Sequence, residues 1–480
     1  MLRLFVALST CSLALVWLLT PFTLTAASRD ATDSNAEVLI PDVPHVLQEP
    51  DFCGEACAEM ALRKLGYDIT QEDVFNVSEV DPSLGRGVHT AELARGLRSL
   101  GFEVGGVWHK TQGRSVAEAE VDEWTALLTD LRAAVPSIVC MQYDDTPHTT
   151  EHFRLILGYS AATDEVIFNE PAEANGAYEH MPRARFLKLW PIATRSGMVL
   201  IRLRLDARSV RLPERSRKPT AAALAQHVMA LREKLPGPGF SIVLVPPFVV
   251  IGDESPSVVR ERADGVVRWT MDRLKKDFFA EDPTEILDVW VFKNRTSYLK
   301  NTWTLFHERP DTPFGYYSDT HHALVMNIGP GAGTLVHELV HPYMEANFAH
   351  YPPWLNEGLA SLYERPSEDA TGHIRGLVNW RLPVLQEAVK NNRVPALRAL
   401  MSMNEATFYG DDSDINYAAA RYLCYYLQEH GQLVAFVRAL QDNLDKDGTG
   451  FDTLVDLLGI TDAKAFDQTF RDFALRLKSR

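Results

Sequence analysis

Cysteine is scarce in this chain, with five in 480 residues. That excludes a scaffold held by disulfides, so hydrophobic cores must carry the fold. Cys11 falls in an N-terminal apolar run. Cys53, Cys57, Cys140 and Cys424 could supply one pair in an oxidising compartment, and spacing does not say which. Basic residues are also in short supply: 48 Lys and Arg face 64 Asp and Glu, for a formal net charge of −16. A surface of that sign excludes nucleic acid and anionic membrane surfaces as main partners. There is no internal repeat, and beyond the first 27 residues no apolar stretch is long enough to span a bilayer. What is there is ordinary globular composition, 46% hydrophobic and 10% aromatic, in a length suited to two or three domains.

Residues 1–27 read as a signal peptide. Arg3 supplies the positive start, Leu4 to Leu24 carries no charge, and Thr25-Ala26-Ala27 offers small residues for cleavage. The expected location is therefore exported, periplasmic or secreted. The alternative is a membrane anchor, if the segment stays uncleaved. Residues 28–37 form a short polar lead.

From 38 to 205 the pattern mixes helices and strands. Helices are predicted at Cys53–Leu65, stopped by Gly66, at Thr90–Leu100, stopped by Gly101, and at Ala117–Ala134. Short β-branched runs at Ser137–Tyr143, His152–Tyr159, Glu165–Phe168 and Gly197–Leu205 predict strands of one sheet. Residues 206–219 carry Arg208, Arg211, Arg215, Arg217 and Lys218 with Pro213 and Pro219, the composition of a basic interdomain linker.

Cys53 opens the first of these helices, where the helix dipole favours a thiolate. Gln48, five residues earlier, can aim its amide at an oxyanion. His152, at the start of an apolar strand, is the expected base, with His148 as the alternative. Asn169 or Glu170, on the next strand, would orient it. Cys57 and Cys140 read as structural. The order of Gln, Cys, a long gap, His, then Asn or an acid resembles the papain-like cysteine peptidases, and most closely the bacteriocin-leader-processing, double-glycine type. The resemblance covers about residues 38–200. In that family an Asp-Pro pair carries the third residue. Glu170-Pro171 stands in that place here, whereas Asn169 would match the papain pattern, so the third member stays open.

The second constellation is His337-Glu338-Leu339-Val340-His341, followed by Asn356-Glu357-Gly358-Leu359-Ala360. Histidines at i and i+4 share one helix face and can reach one ion, and the intervening Glu338 can take a proton from water beside it. Glu357 follows His341 by sixteen residues, enough for the chain to turn and return a third ligand. Two His and one Glu form the open zinc site of a hydrolase, so the expected cofactor is Zn²⁺. Tyr417 is the candidate donor to an oxyanion, with Tyr409 and Tyr422 as rivals. Asn356 either orients a ligand or caps a helix, and His321 and His322 read as loop residues. Ala323–Ile328 is the expected edge strand for an extended peptide.

Around this motif the sequence predicts a strand pair over Ser241–Ile251, a long helix over Ser257–Phe278, and strands at Leu287–Phe292 and His322–Ile328. Helices then follow at roughly 355–364, 376–390, 415–430, 433–443 and 462–478. Residues 240–475 resemble the gluzincin, peptidase MA-like zinc metallopeptidases. That resemblance implies a thermolysin-like fold and peptide-bond hydrolysis. Met326-Asn327 occupies the place where aminopeptidases of the group grip a substrate amine, but lacks the acid, which favours endopeptidase action.

The expected fold is α+β: a papain-like domain followed by a thermolysin-like zincin domain with a helical C-terminal half. The expected function is zinc-dependent hydrolysis of a peptide or protein substrate, with thiol-dependent hydrolysis by the first domain. The alternatives are a catalytically silent recognition module in the first domain, or a thiol acyl or amide transferase.

Overall fold

The computed structural model describes residues 37–111, 115–147, 149–195, 197–207, 209–214, 218–318 and 320–478. The expected signal peptide, His148, and Arg208, Arg215 and Arg217 of the linker lie outside these residues. Among the described residues no helix is long and apolar enough to cross a membrane.

The first region packs helices against a mixed-order antiparallel sheet. Its elements are β1 (Val38–Leu39), α1 (Cys53–Lys64), α2 (Gln71–Asn76), α3 (Thr90–Ser99), β2 (Trp108–Lys110), α4 (Val116–Arg132), β3 (Ser137–Gln142), β4 (Glu151–Ser160), β5 (Glu165–Asn169), β6 (Glu179–Pro182), α5 (Arg183–Leu189), β7 (Ile192–Thr194) and β8 (Gly197–Arg204). The strand order is β2-β8-β3-β4-β5-β6, with β1 added to β4 and β7 to β8. The helix stops work as the sequence requires: Gly66 and Gly101 adopt left-handed φ values of 86° and 100°. Capping boxes start α2 at Thr70 and α4 at Ser115. The core gathers Phe52 and Met60 near α1 with Leu93, Ile138, Leu155 and Trp190.

The linker does not lead straight into the second sheet. Thr220 caps a helix that the sequence pattern had left unassigned, α6 (Ala221–Lys234). Ala222 and Ala225 join the first core, whereas Leu224 and Leu231 pack with Val249, Ile251 and Trp290 beyond it. Gln226 Nε2 donates to Pro50 O at 3.0 Å, and His227 Nε2 lies 2.6 Å from the Asp288 carboxylate. The two regions are thus joined through a helix buried on both sides.

The second sheet contains β9 (Ser241–Val245), β10 (Phe248–Gly252), β11 (Leu287–Phe292), β12 (Gly315–Ser318) and β13 (Ala323–Asn327), in the order β9-β10-β11-β13-β12. The expected edge strand is internal: β13 pairs with β11 on one side and β12 on the other. The edge is β12, whose Gly-Tyr-Tyr-Ser sequence is too short to announce itself by periodicity. Between β10 and β11 the chain is helical from α7 (Pro256–Arg262) through a π segment (Ala263–Arg268) to α8 (Trp269–Asp277). The segment after β11 forms α9 (Arg295–Phe306).

The helical half begins with α10 (Gly333–Asn347), α11 (Pro353–Leu362), α12 (Leu382–Lys390) and, after two short helices, α13 (Ser413–Glu429). Gly358 is required where α11 meets α13. A Cβ there would sit 2.9 Å from Ala420 O and 3.0 Å from Cys424 Sγ. Fully buried Arg421 closes the same contact, donating through Nε to Ser361 O at 2.9 Å near the C-terminus of α11. A cation at the negative end of a helix dipole is favourable, and it fixes how α11 lies.

Candidate active sites

Helix α10 places His337 and His341 one turn apart, with ring centroids 5.0 Å from each other. Helix α11 returns Glu357 to them, so one ligand atom from each of the three residues lies within 4.8 Å of the others. His337 Nε2 is 3.4 Å from Glu357 Oε2. That oxygen is buried and makes no hydrogen bond, whereas Oε1 accepts the Tyr409 hydroxyl at 2.8 Å. A buried carboxylate oxygen facing two imidazoles is the donor set Zn²⁺ takes, and the residues present fit it.

The remaining ring nitrogens differ in their partners. His341 Nδ1–H donates to Asn356 Oδ1 at 2.9 Å, leaving Nε2 as the ligand atom. Asn356 therefore orients a histidine and is not the helix cap, which is Pro352. His337 Nδ1 faces Glu364 Oε1 at 3.6 Å. Glu364 is fixed by Arg381 Nη2 at 2.7 Å and Asn379 Nδ2 at 2.8 Å. Sequence reasoning missed Glu364, which lies in the turn just after α11, beyond the helical spacing that placed Glu357.

Electrostatics suit a cation. Burial works against ionising Glu357, but His337, His341 and Tyr409 hold its carboxyl down at about 2. Burial also opposes charge on His337, yet Glu357, Glu338 and Glu364 raise its pKa.

Two cavities meet at this group. One, of about 630 Å³, is lined by Phe314, Thr334, Glu338, Trp380, Arg381 and Tyr417. The other, of about 240 Å³, is lined by Tyr317, Leu324, Glu338, His341, Tyr351 and Glu357. Glu338 borders both, so a groove passes the His337, His341 and Glu357 group. Tyr417 stands in the larger cavity under the Arg381 guanidinium, 4.9 Å from its ring centroid, and burial followed by the Glu357 charge raises its pKa. Tyr422 is fully buried in the helical core, where its hydroxyl accepts from Asn379 N at 3.2 Å.

In the first region, Cys53 begins α1 against the start of β4, where the Phe153 N–H favours its thiolate form. Cys57 Sγ donates to Phe153 O at 3.7 Å. His152 Nε2 meets Glu170 Oε1, and Arg154 Nε donates to Glu170 Oε2 at 2.7 Å. With Nε2 committed to the carboxylate, Nδ1 is the nitrogen left to accept a proton. Burial opposes the Glu170 charge, while His152 and Arg154 lower its pKa. Of the two candidates for the third position, Glu170 is the one brought to His152. Asn169 turns into the core, donating to Met60 Sδ at 3.3 Å and accepting Tyr178 N–H at 2.9 Å. Gln48 N–H donates to Pro171 O at 2.8 Å, and its buried side-chain Oε1 has no partner.

The folded environment of Cys53 works against its thiolate. Burial, with Glu55 and Asp51 adding to it, pushes the thiol up to about 12, against the help of the Phe153 and Gly54 amides. The α1 dipole is outweighed chiefly by burial of the thiol. Cys53, Cys57, Cys140 and Cys424 are all free thiols.

Residues 40–198 match the model of the Peptidase_C39 like family. Among solved structures, the peptidase domain of Streptococcus ComA, a bi-functional ABC transporter involved in a quorum sensing pathway, is similar at 14% identity. The match covers 34% of this chain and 99% of that one, with a TM-score of 0.24. Native yeast LTA4 hydrolase is similar at 14% identity over 50% of this chain and 39% of that one, with a TM-score of 0.27. No curated protein matches the chain. The family match points to cysteine-type peptidase activity and a peptide or protein substrate. This is a mixed α+β protein with a C39-like peptidase domain at its N-terminus.

Proposed function

We propose that this is an exported two-domain peptidase whose second domain, of thermolysin-like gluzincin type, hydrolyses peptide bonds with Zn²⁺ held by His337, His341 and Glu357. The convergence of those ligand atoms within 4.8 Å beside a groove carries the reading. Zn²⁺ in such a set acts as a Lewis acid and acidifies water near neutral pH. Glu338, bordering both cavities, takes the proton of the attacking water and returns it to the leaving amine. The Tyr417 hydroxyl donates to the developing oxyanion, while Tyr409 fixes Glu357. Stripping the protein with a chelator and restoring Zn²⁺ tests this: peptide hydrolysis should vanish and return at one equivalent per chain. Chelator-resistant hydrolysis in a Cys53→Ala background would overturn it.

In the first domain Cys53 is the proposed nucleophile, with His152 as base, Glu170 as its orienting partner and Gln48 as oxyanion donor. One observation favours a second reading, a recognition module: burial pushes the Cys53 thiol up to about 12. Hydrolysis by the Glu338→Gln protein that is lost on alkylating Cys53 would decide for catalysis. Export is tested by N-terminal sequencing of the mature protein, with cleavage after Ala27 expected.

A further inference from the structure

The buried stretch of β4 from His152 to Leu157 holds two polar side chains, His152 and Arg154. They are two residues apart, so they leave the strand on the same face. Arg154 is only 5% exposed, and a cation at that depth persists only where its charge and its N–H groups find partners. Nε donates to Glu170 Oε2 at 2.7 Å, Nη2 to Tyr143 O at 2.8 Å and Nη1 to Gln142 O at 3.3 Å. The guanidinium also lies over the rings of Tyr143 and Phe168, 5.5 and 5.6 Å from their centroids.

Glu170 is thereby held from two sides. Its Oε1 meets His152 Nε2 and accepts the Ala172 N–H at 3.1 Å, whereas Oε2 is left to Arg154. A glutamate side chain is long enough to swing, and a buried carboxylate oxygen without a donor is costly. Tyr143, whose carbonyl Arg154 also binds, packs edge-on against the His152 ring with centroids 5.0 Å apart. One guanidinium therefore contacts both the acid that meets the imidazole and the aromatic residue that packs against it. Among the described residues Arg154 makes no hydrogen bond to His152 or to a cysteine, so any influence on the imidazole passes through these neighbours.

We infer that Arg154 is a positioning residue for the thiol reaction: by fixing Glu170 it sets the orientation of the His152 ring toward Cys53. The inference rests on the thiol-peptidase reading of the first domain and adds a residue which that reading does not contain. A purely structural role would make Arg154 a tie between the end of β3 and the end of β5. The two roles differ in whether the loss on removing Arg154 depends on Glu170.

The test uses the zinc-loaded full chain carrying Glu338→Gln, under reducing conditions, with a peptide whose cleavage by that chain is lost on alkylating Cys53. Arg154→Met should lower kcat by about 10- to 100-fold, the worth of one hydrogen bond to a charged group, with KM moving less than about threefold. In a Glu170→Gln background the same substitution should cost less than about threefold, because the route to His152 is already cut. Arg154→Lys should recover part of the loss, since an ammonium keeps the charge but cannot reproduce the planar fork. As a readout independent of turnover, the ring proton between His152 and Glu170 should give a far-downfield proton resonance, identified by its absence in His152→Gln, that Arg154→Met shifts or removes. If Arg154→Met does not fold, Arg154→Lys and the double variant, which leaves neither charge buried, carry the same comparison. Losses that add fully in the double variant, a rise in KM with kcat intact, or an unmoved downfield resonance make Arg154 a structural tie and overturn the inference alone. Absence of thiol-dependent cleavage by the parent chain overturns the thiol-peptidase reading and the inference with it.

Discussion

The two candidate sites are built in opposite ways. In the metal group, three ligands come from two consecutive helices, and each histidine has a named neighbour behind it: Asn356 for His341 and Glu364 for His337. The surrounding charges hold Glu357 in its ionised form at about 2. In the thiol group, four segments from Gln48 to Glu170 must be assembled, and the folded environment pushes the Cys53 thiol away from its reactive form, up to about 12. One site has its three ligand-capable atoms prepared together before any cation arrives. The other holds its thiol in reserve, chiefly through burial. Burial is common to both. What differs is whether the neighbours of the buried group carry the complementary sign.

The sharpest way to break this comparison is Glu338→Gln. It removes the proposed proton acceptor and leaves all three ligands, so chelator-sensitive hydrolysis should fall by about 10²- to 10⁴-fold while zinc content, measured by elemental analysis, stays at one per chain. Undiminished hydrolysis would show that Glu338 carries no proton. Next in size is Tyr417→Phe. Loss of a single oxyanion donor lowers kcat by about 10²- to 10³-fold. If the comparison of hydroxyls is right, Tyr409→Phe instead weakens zinc retention, because Tyr409 touches Glu357 directly at 2.8 Å. Equal effects of the two substitutions on kcat and on zinc would merge their roles.

A smaller effect is expected at Glu364, which sequence alone did not single out. Glu364→Gln keeps the shape but removes the charge facing His337 and binding Arg381. Zinc affinity should drop by about 10- to 100-fold in a competition with a chromophoric chelator. An unchanged affinity would make Glu364 a partner of Arg381 only.

How much of this was readable in the sequence follows from distance along the chain. His337, Glu338 and His341 are fixed by one helical turn, and Glu357 by the next helix, so their convergence needed little beyond the 3.6-residue period. Glu364 lies just past the end of α11, and its place depends on Arg381 and Asn379 arriving from another segment. The choice between Asn169 and Glu170 depended on where the strand ends: Asn169 closes β5 opposite Leu155, and Glu170, one residue beyond, is the one that meets His152. Helix α6 was hidden behind a boundary drawn at Pro219, although Thr220 capping an alanine-rich run carried the signal. The internal place of β13 was not legible, because an internal strand and an edge strand buried on both faces read alike.

The finest test concerns the thiol. If burial holds Cys53 protonated, its alkylation by iodoacetamide should be slow at neutral pH. The rate should then rise about tenfold per pH unit from 7 to 10 without levelling, because the thiolate fraction keeps growing until the pH approaches about 12. Mass spectrometry of the peptide containing Cys53 gives the rate, and Cys57, fully buried on the same helix, serves as an unreactive reference in the same spectrum. Adding a peptide substrate tests the reserve itself. A bound chain that brings a hydrogen-bond donor beside Sγ would lower the pKa and flatten the profile. A profile that levels below pH 8 without substrate would mean that His152 already shares the proton, and the contrast between a prepared and a reserved site would disappear. A steep profile that substrate does not alter would leave the first domain as a recognition module, feeding peptides to the groove beside His337 and His341.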